Sequence, residues 1–105
     1  MAQFRVHENP NTGTRDTYPY LPDIQNDLLS DLRTTVVLPL TPRARAGRAA
    51  INKLCPEVQV QGETFIVLTP QIAGIDRQSL GAEIEDLSAY RSDIIAALDF
   101  IISGI

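Results

Sequence analysis

No tryptophan occurs in the 105 residues, and cysteine, histidine and methionine occur once each. A single thiol, Cys55, excludes an internal disulfide and a multi-cysteine zinc site. A single imidazole, His7, removes a Cys/His metal cluster and weakens every scheme that needs a histidine base. Long apolar runs are missing as well. The longest, Ile94 to Leu98, is broken by Asp99, far short of the ~18 residues a membrane span requires. Basic residues are outnumbered 9 to 13, a net charge of -4, which disfavours a general binder of nucleic acid or anionic membrane. Glycine-rich phosphate loops, metal-ligand spacings and nucleophile elbows are all lacking. By exclusion the chain reads as a binding protein rather than a metal or triad enzyme, with no cofactor implied.

The composition that remains is ordinary for a globular protein, 44% hydrophobic and 21% charged, and the length suits one domain over residues 1–105. Charges fall near the N-terminus, where a secretory signal would need apolar residues, so the expected location is cytoplasmic.

The first three-quarters, roughly residues 3–81, reads as short strands. Phe4 and Val6 alternate with Arg5 and His7, the pattern of a half-buried strand. Asn9 to Gly13 is a loop, and Thr17 to Ile24, interrupted by Pro19 and Pro22, is expected as an irregular or edge strand. Thr34 to Leu40 is rich in β-branched residues and fits a strand buried on both faces. Val58 and Val60, the turn at Gly62, and Thr64 to Thr69 form a hairpin. Ile72, Ile75 and Leu80 suggest one more broken strand.

The period then changes. Tyr90, Ile94, Leu98, Ile101 and Ile105 recur at helical spacing, so a helix is expected over roughly 88–103, with Ser88 as N-cap and Gly104 as C-terminal cap. Leu87, Ile95 and Ile102 widen its apolar face beyond what one small sheet covers, and a two-fold dimer is the economical way to bury the excess.

Candidate chemistry is sparse. His7 lies in the first strand and is expected at the surface. Cys55, before Pro56, is expected as an inert packing thiol. Glu83, Glu85 and Asp86 precede the helix, where they favour the positive end of its dipole. Two features stand out instead. Leu28 and Leu29 lie between polar turn-forming residues, and the helix stripe continues to an uncharged end, Ile102-Ser103-Gly104-Ile105. Either Ile105 tucks back on the core or something binds this tip. From Leu32 to Pro56 there is no acidic residue, whereas Arg33, Arg43, Arg45, Arg48 and Lys53 all fall there. Such a stretch is either a solvated surface or a docking surface for an acidic partner.

Taken in order, Gln3-Phe4-x-Val6, Asp23-x-Gln25-x-Asp27-Leu28-Leu29, Val37-Leu38-Pro39-Leu40-Thr41-Pro42, Leu54-x-Pro56, Asp86-Leu87-Ser88-x-x-Arg91-x-x-Ile94 and Gly104-Ile105 resemble the CcdB family of toxins. The resemblance covers nearly the whole chain. It implies a mainly β fold with a C-terminal α-helix, an SH3-like barrel of the CcdB/MazF type, assembled as a homodimer. It also implies a non-enzymatic poison that binds the GyrA subunit of DNA gyrase and traps the cleaved-DNA complex, meeting DNA only through gyrase or the antitoxin complex. Carried onto this chain, the gyrase-binding residues are Leu28, Leu29, Asp99, Ile102, Ser103, Gly104 and Ile105. A CcdA-like antitoxin with an acidic segment neutralises the toxin, for which Arg43, Arg45, Arg48 and Lys53 are the candidate contacts. Two alternatives remain open on the same fold: a MazF-like endoribonuclease toxin, for which Arg33 and Thr34 or Thr35 are imaginable groove residues, and an inactive antitoxin-binding relic. Two departures are visible. Ser103 stands where many family members carry a tryptophan that stacks on a gyrase arginine, and the Asn9 to Asp16 loop is longer than in the plasmid-type members.

Overall fold

The computed structural model describes residues 3–47 and 53–104. Within them lie β1 (Arg5–Glu8), β2 (Tyr20–Asp23), β3 (Thr34–Val37), β4 (Leu40–Pro42), β5 (Glu57–Val60), β6 (Glu63–Val67), β7 (Ala73–Asp76), β8 (Glu83–Asp86) and one helix, α1 (Arg91–Ser103). All pairings are antiparallel, in the order β5-β6-β4-β2-β1-β8, with β3 joining β2 to β7.

Two prolines and one turn give this sheet its curl. Asp23 faces Val37 and Tyr20 faces Leu40 in one unbroken register, and Ile24 N–H and Leu38 N–H donate to Val36 and Pro22 carbonyls at 2.9 and 3.2 Å. Residues 34–42 are therefore one long strand along β2. It is interrupted at Leu38-Pro39 because Pro22 has no N–H to give back and Pro39 has none of its own. The opposite edge of this strand is shared, its first half pairing with β7 and its second with β6. The chain steps from one half to the other through the 3-10 turn Thr69–Gln71, entered with Pro70. The sheet forks there and bends into a half-barrel.

Side chains draw the far ends of the sheet together. Gln61 N–H donates to Glu85 Oε1 at 2.9 Å and Gln59 N–H to the Tyr90 hydroxyl at 3.2 Å, tying the β5-β6 hairpin to β8 and the approach to α1. The hairpin turn has both central residues in the left-handed region, Gln61 at φ 51° and Gly62 at φ 81°. That is the turn whose twist matches the flanking strands.

Inside the curl, Phe4, Val6, Leu38, Leu40, Val58, Val60, Phe65 and Val67 pack with Leu87 and Ile94, which closes the barrel with the helix. Tyr20 meets Phe65 edge-on, with ring centroids 5.1 Å apart. Phe4 has φ 68°, a left-handed conformation costly for a bulky residue. It is held there by its N–H to Asp23 O at 2.6 Å, its carbonyl from Leu87 N–H at 2.8 Å, and full burial of its ring. Cys55, Ile66 and Leu68 form a smaller cluster with Tyr18, Ala46 and Leu54.

The mainly β architecture with a C-terminal helix agrees with the sequence reading, and four local expectations are corrected. Of the irregular or edge strand expected over Thr17 to Ile24, the edge reading is corrected: β2 is interior, paired with β1 on one side and β3-β4 on the other, because Pro22, its one proline, interrupts the ladder at a single point. His7 is not a surface residue. It is 6% exposed, its Nδ1 3.2 Å from Gly81 O, because β8 covers the edge of β1. Glu83, Glu85 and Asp86 lie in β8 against β1, where cross-strand pairs form, rather than at the helix dipole. Ser88 is not the acceptor at the helix start. Asp86 Oδ1 takes both the Ser88 N–H, at 2.8 Å, and the Ser88 hydroxyl, at 2.5 Å, and a 3-10 turn over Ser88–Tyr90 then leads into α1.

Candidate functional site

Leu28 and Leu29 belong to a three-residue 3-10 turn, Asp27–Leu29, that buries none of its side chains. Asn26 starts it, its Oδ1 accepting from Leu28 N–H at 2.8 Å, as a side-chain amide does at a helix N-cap. Leu28 is 91% exposed, and Leu29 and Leu32 stand half-exposed beside it. The segment thus leaves three large apolar side chains, Leu28, Leu29 and Leu32, accessible to water.

What fixes this segment lies outside it. The Arg77 guanidinium, just beyond β7, donates from Nε to Leu32 O at 2.6 Å and from Nη2 to Leu29 O at 3.1 Å. Its Nη1 lies 3.6 Å from the buried Asp23 carboxylate. Thr35 Oγ1 donates to Asp23 Oδ1 at 2.7 Å, and Gln25 N–H reaches the same oxygen at 3.1 Å. Gln25 Nε2 in turn donates to Leu29 O and Thr34 O, both at 3.3 Å. Sequence reasoning did not find this network, since its members are scattered over more than fifty residues. The one available signal was Asp23-x-Gln25 immediately ahead of the leucines.

The helix end presents a second apolar surface. The buried face of α1 is Ile94 and Ala97, backed by half-buried Ile95 and Leu98, while Ile101 turns outward and Ile102 is 82% exposed. Asp99 is exposed, and Ser103 Oγ donates to Asp99 O at 2.6 Å. Gly104, at φ 77°, ends the helix with its N–H on Phe100 O at 2.8 Å, the C-terminal cap expected from the sequence. Ile105 lies outside the described residues. Within one chain the exposed leucines and the helix tip are carried by different elements, the turn Asp27–Leu29 and the end of α1.

The basic stretch is placed in part. Arg43 and Arg45 bracket an exposed 3-10 turn after β4, Arg43 lying 3.4 Å from Glu57. Lys53 is exposed, with Nζ 5.4 Å from the centre of the Phe100 ring, a cation–π contact that joins the basic stretch to α1. Arg48 lies outside the described residues. Among the groove residues imagined for RNA cleavage, Arg33 and Thr34 are exposed, whereas Thr35 is fully buried and donates its hydroxyl to Asp23.

Other chemical groups are placed as follows. Burial pushes the Cys55 thiol above its ordinary pKa, partly offset by a hydrogen bond with the Thr69 backbone. That disfavours the thiolate a nucleophile needs. Among the described residues, no three His, Cys, Asp or Glu side chains gather as a metal site, and no helix is long and apolar enough to cross a membrane. An open groove of about 500 Å³ lies between the Asn9–Thr14 loop and the β3-β7 side of the sheet, lined by Tyr18, Leu21, Val37, Pro39 and Ile75.

The chain is thus a curled antiparallel half-barrel packed against one C-terminal helix, with apolar side chains exposed at a clamped turn and at the helix end. A family model described as CcdB protein matches residues 3–104. The chain belongs to the CcdB family, toxins of toxin–antitoxin modules.

Proposed function

We propose that this protein is a cytoplasmic, homodimeric toxin that binds the GyrA subunit of DNA gyrase and holds the cleaved-DNA intermediate, and that a CcdA-like antitoxin releases it. The observation that carries the reading is the presentation of Leu28, 91% exposed, on a turn clamped by Arg77 and Gln25. An isolated solvent-exposed leucine is unremarkable, but a capped and clamped one with further leucines beside it supports a contact role. Ile102, 82% exposed at the end of α1, supplies the second apolar contact. In a two-fold dimer the helix tips lie side by side, with Asp99, Ser103, Gly104 and Ile105 completing the surface.

No covalent step is required of the toxin. A protein that binds one conformation of gyrase better than the others shifts the population toward it by its differential affinity. Bound to the cleaved state, it raises the barrier to resealing, so inhibition is inseparable from binding. The antitoxin is a chain with an acidic segment that meets Arg43, Arg45, Arg48 and Lys53. Exposed arginines give bidentate, charge-assisted contacts to carboxylates, and Arg43 is only loosely engaged by Glu57. DNA is met only through gyrase or through the antitoxin complex, and no membrane partner is implied.

The test is a cleavage assay with purified protein, gyrase, supercoiled plasmid and ATP, run beside an incubation with RNA. Linearised plasmid after protein denaturation is the expected result, and Leu28→Asp removes it. Cut RNA with intact plasmid sinks the gyrase reading in favour of a nuclease, and neither product leaves an inactive antitoxin-binding protein.

A further inference from the structure

We propose that Arg77 is a positioning residue: it clamps the segment 26–33 in the conformation that docks, and so sets affinity for GyrA without touching it. The proposal rests on the gyrase reading above and adds to it a residue on another strand connection. The segment has little of its own to hold it. Its internal bonds are local, Leu29 N–H to Asn26 O, Ser30 N–H to Asp27 O and Leu32 N–H to Leu29 O, and its 3-10 turn buries no side chain. Three leucines on such a loop would otherwise turn inward onto any apolar surface within reach, and binding would have to order them again.

Arg77 supplies the missing constraint from three directions at once. Its side chain donates to the Leu29 and Leu32 carbonyls, at 3.1 and 2.6 Å, and its own backbone N–H donates to Arg33 O at 2.9 Å. The third corner of the guanidinium faces Asp23, whose side chain is 4% exposed and whose other oxygen is already taken by Thr35 and Gln25. The carboxylate is thus fixed to the sheet, the guanidinium to the carboxylate, and the leucine turn to the guanidinium. Only a planar fork of donors spans these acceptors. A lysine ammonium at this position retains the charge opposite Asp23 but is a single point that cannot reach both carbonyls.

Arg77→Lys is therefore the informative variant, because it keeps the buried carboxylate compensated. Amide hydrogen exchange in the free protein reads the clamp, and titration with purified GyrA reads its consequence. Exchange is expected to quicken across residues 26–33 by roughly tenfold or more, with β1, β6 and α1 unchanged. The dissociation constant for GyrA should rise about tenfold, and in a Leu28→Ala background Arg77→Lys should add no further loss, since it acts through the leucine. Gln25→Ala, which removes a second donor to Leu29 O without touching Asp23, should reproduce both effects more weakly and stands in if Arg77→Lys does not fold. Wild-type exchange and affinity in these variants would overturn the clamp. Additive losses with Leu28→Ala would show that Arg77 contacts GyrA itself and overturn the positioning role. A wild-type protein that does not bind GyrA removes the gyrase reading and this role together, whereas a wild type that binds beside an unaffected Arg77→Lys removes the clamp alone.

Discussion

The ammonium of Lys53 sits 5.4 Å from the centre of the Phe100 ring. That contact sets the end of the basic stretch against the same helix whose tip exposes Ile102. An acidic segment bound along Arg43, Arg45 and Lys53 would pass close to the surface proposed for GyrA, so the two partners are expected to interfere. At an exposed site the cation–π contact itself is worth only about 0.5–1 kcal/mol.

Replacing Arg43 and Arg45 together with Glu should slow antitoxin association more than it speeds dissociation, since rim charges act mainly on encounter. Affinity for the acidic segment should fall as salt rises from 0.05 to ~0.5 M, because exposed pairs are screened over a Debye length of about 10 Å or less. Surface-immobilised antitoxin peptide gives both rates. A salt-independent affinity unchanged by the double substitution would make this stretch an ordinary solvated surface.

The carboxyl of Asp86 is held below its ordinary pKa chiefly by the Ser88 hydroxyl, with the Ser88 backbone N–H and the Arg5 charge adding to this. A lowered folded-state pKa means that its contribution is fully present above the unfolded value, near 3.8, and fades as pH falls through the folded value. Asp86→Ala should therefore lower Tm at pH 7 slightly, through the loss of the two hydrogen bonds from Ser88, because ion pairs and hydrogen bonds of so exposed a carboxylate are weak. As pH falls through and below the lowered folded value, the wild type and the variant should converge. Melting curves across pH 2–7 check this, and a difference that persists at the acid end would assign the effect to packing.

The strand pattern was legible wherever hydrophobic alternation or β-branching was dense, as at Thr34 to Leu40 and in the hairpin around Gly62. It misled where one residue type carries two meanings. Pro22 suggested an edge, yet a proline in an interior strand costs a single donor if its carbonyl still accepts, as Pro22 O does from Leu38 N–H. Glu83, Glu85 and Asp86 read as dipole partners because β8 is too polar and too short to announce itself, and its pairing with β1 is a contact nearly eighty residues apart. The exposed pair Leu28-Leu29 was visible in the sequence, but its clamp was not. Arg77 and Asp23 are unremarkable residues until the fork in the sheet brings β7 alongside β3.

Ile94 joins the helix to the sheet, being 1% exposed among Val6, Leu87 and the barrel core. Ile94→Ala should cost about 2–5 kcal/mol, the range for truncating a buried aliphatic side chain. Denaturant unfolding followed by circular dichroism measures it. A loss under ~1 kcal/mol would mean that the helix contributes little to the stability of the fold.

Ser103 is exposed, one residue before the glycine cap, with its hydroxyl returned to Asp99 O at 2.6 Å. That bond lies within the helix's own last turn, so the side chain contributes little to the core and its replacement should leave Tm almost unchanged. If the tip docks on GyrA as proposed, Ser103→Trp places an aromatic face where an arginine of the partner can stack, and a desolvated cation–π contact strengthens binding by ~10-fold or more. Titration of wild type and variant against GyrA, with a melting curve for each, separates the outcomes. Tighter binding at unchanged Tm supports docking through the helix end. A stable variant that binds no better, or worse, would mean that position 103 does not face GyrA, and contact would then have to come from the clamped leucine turn, where Leu28→Ala alone should abolish it.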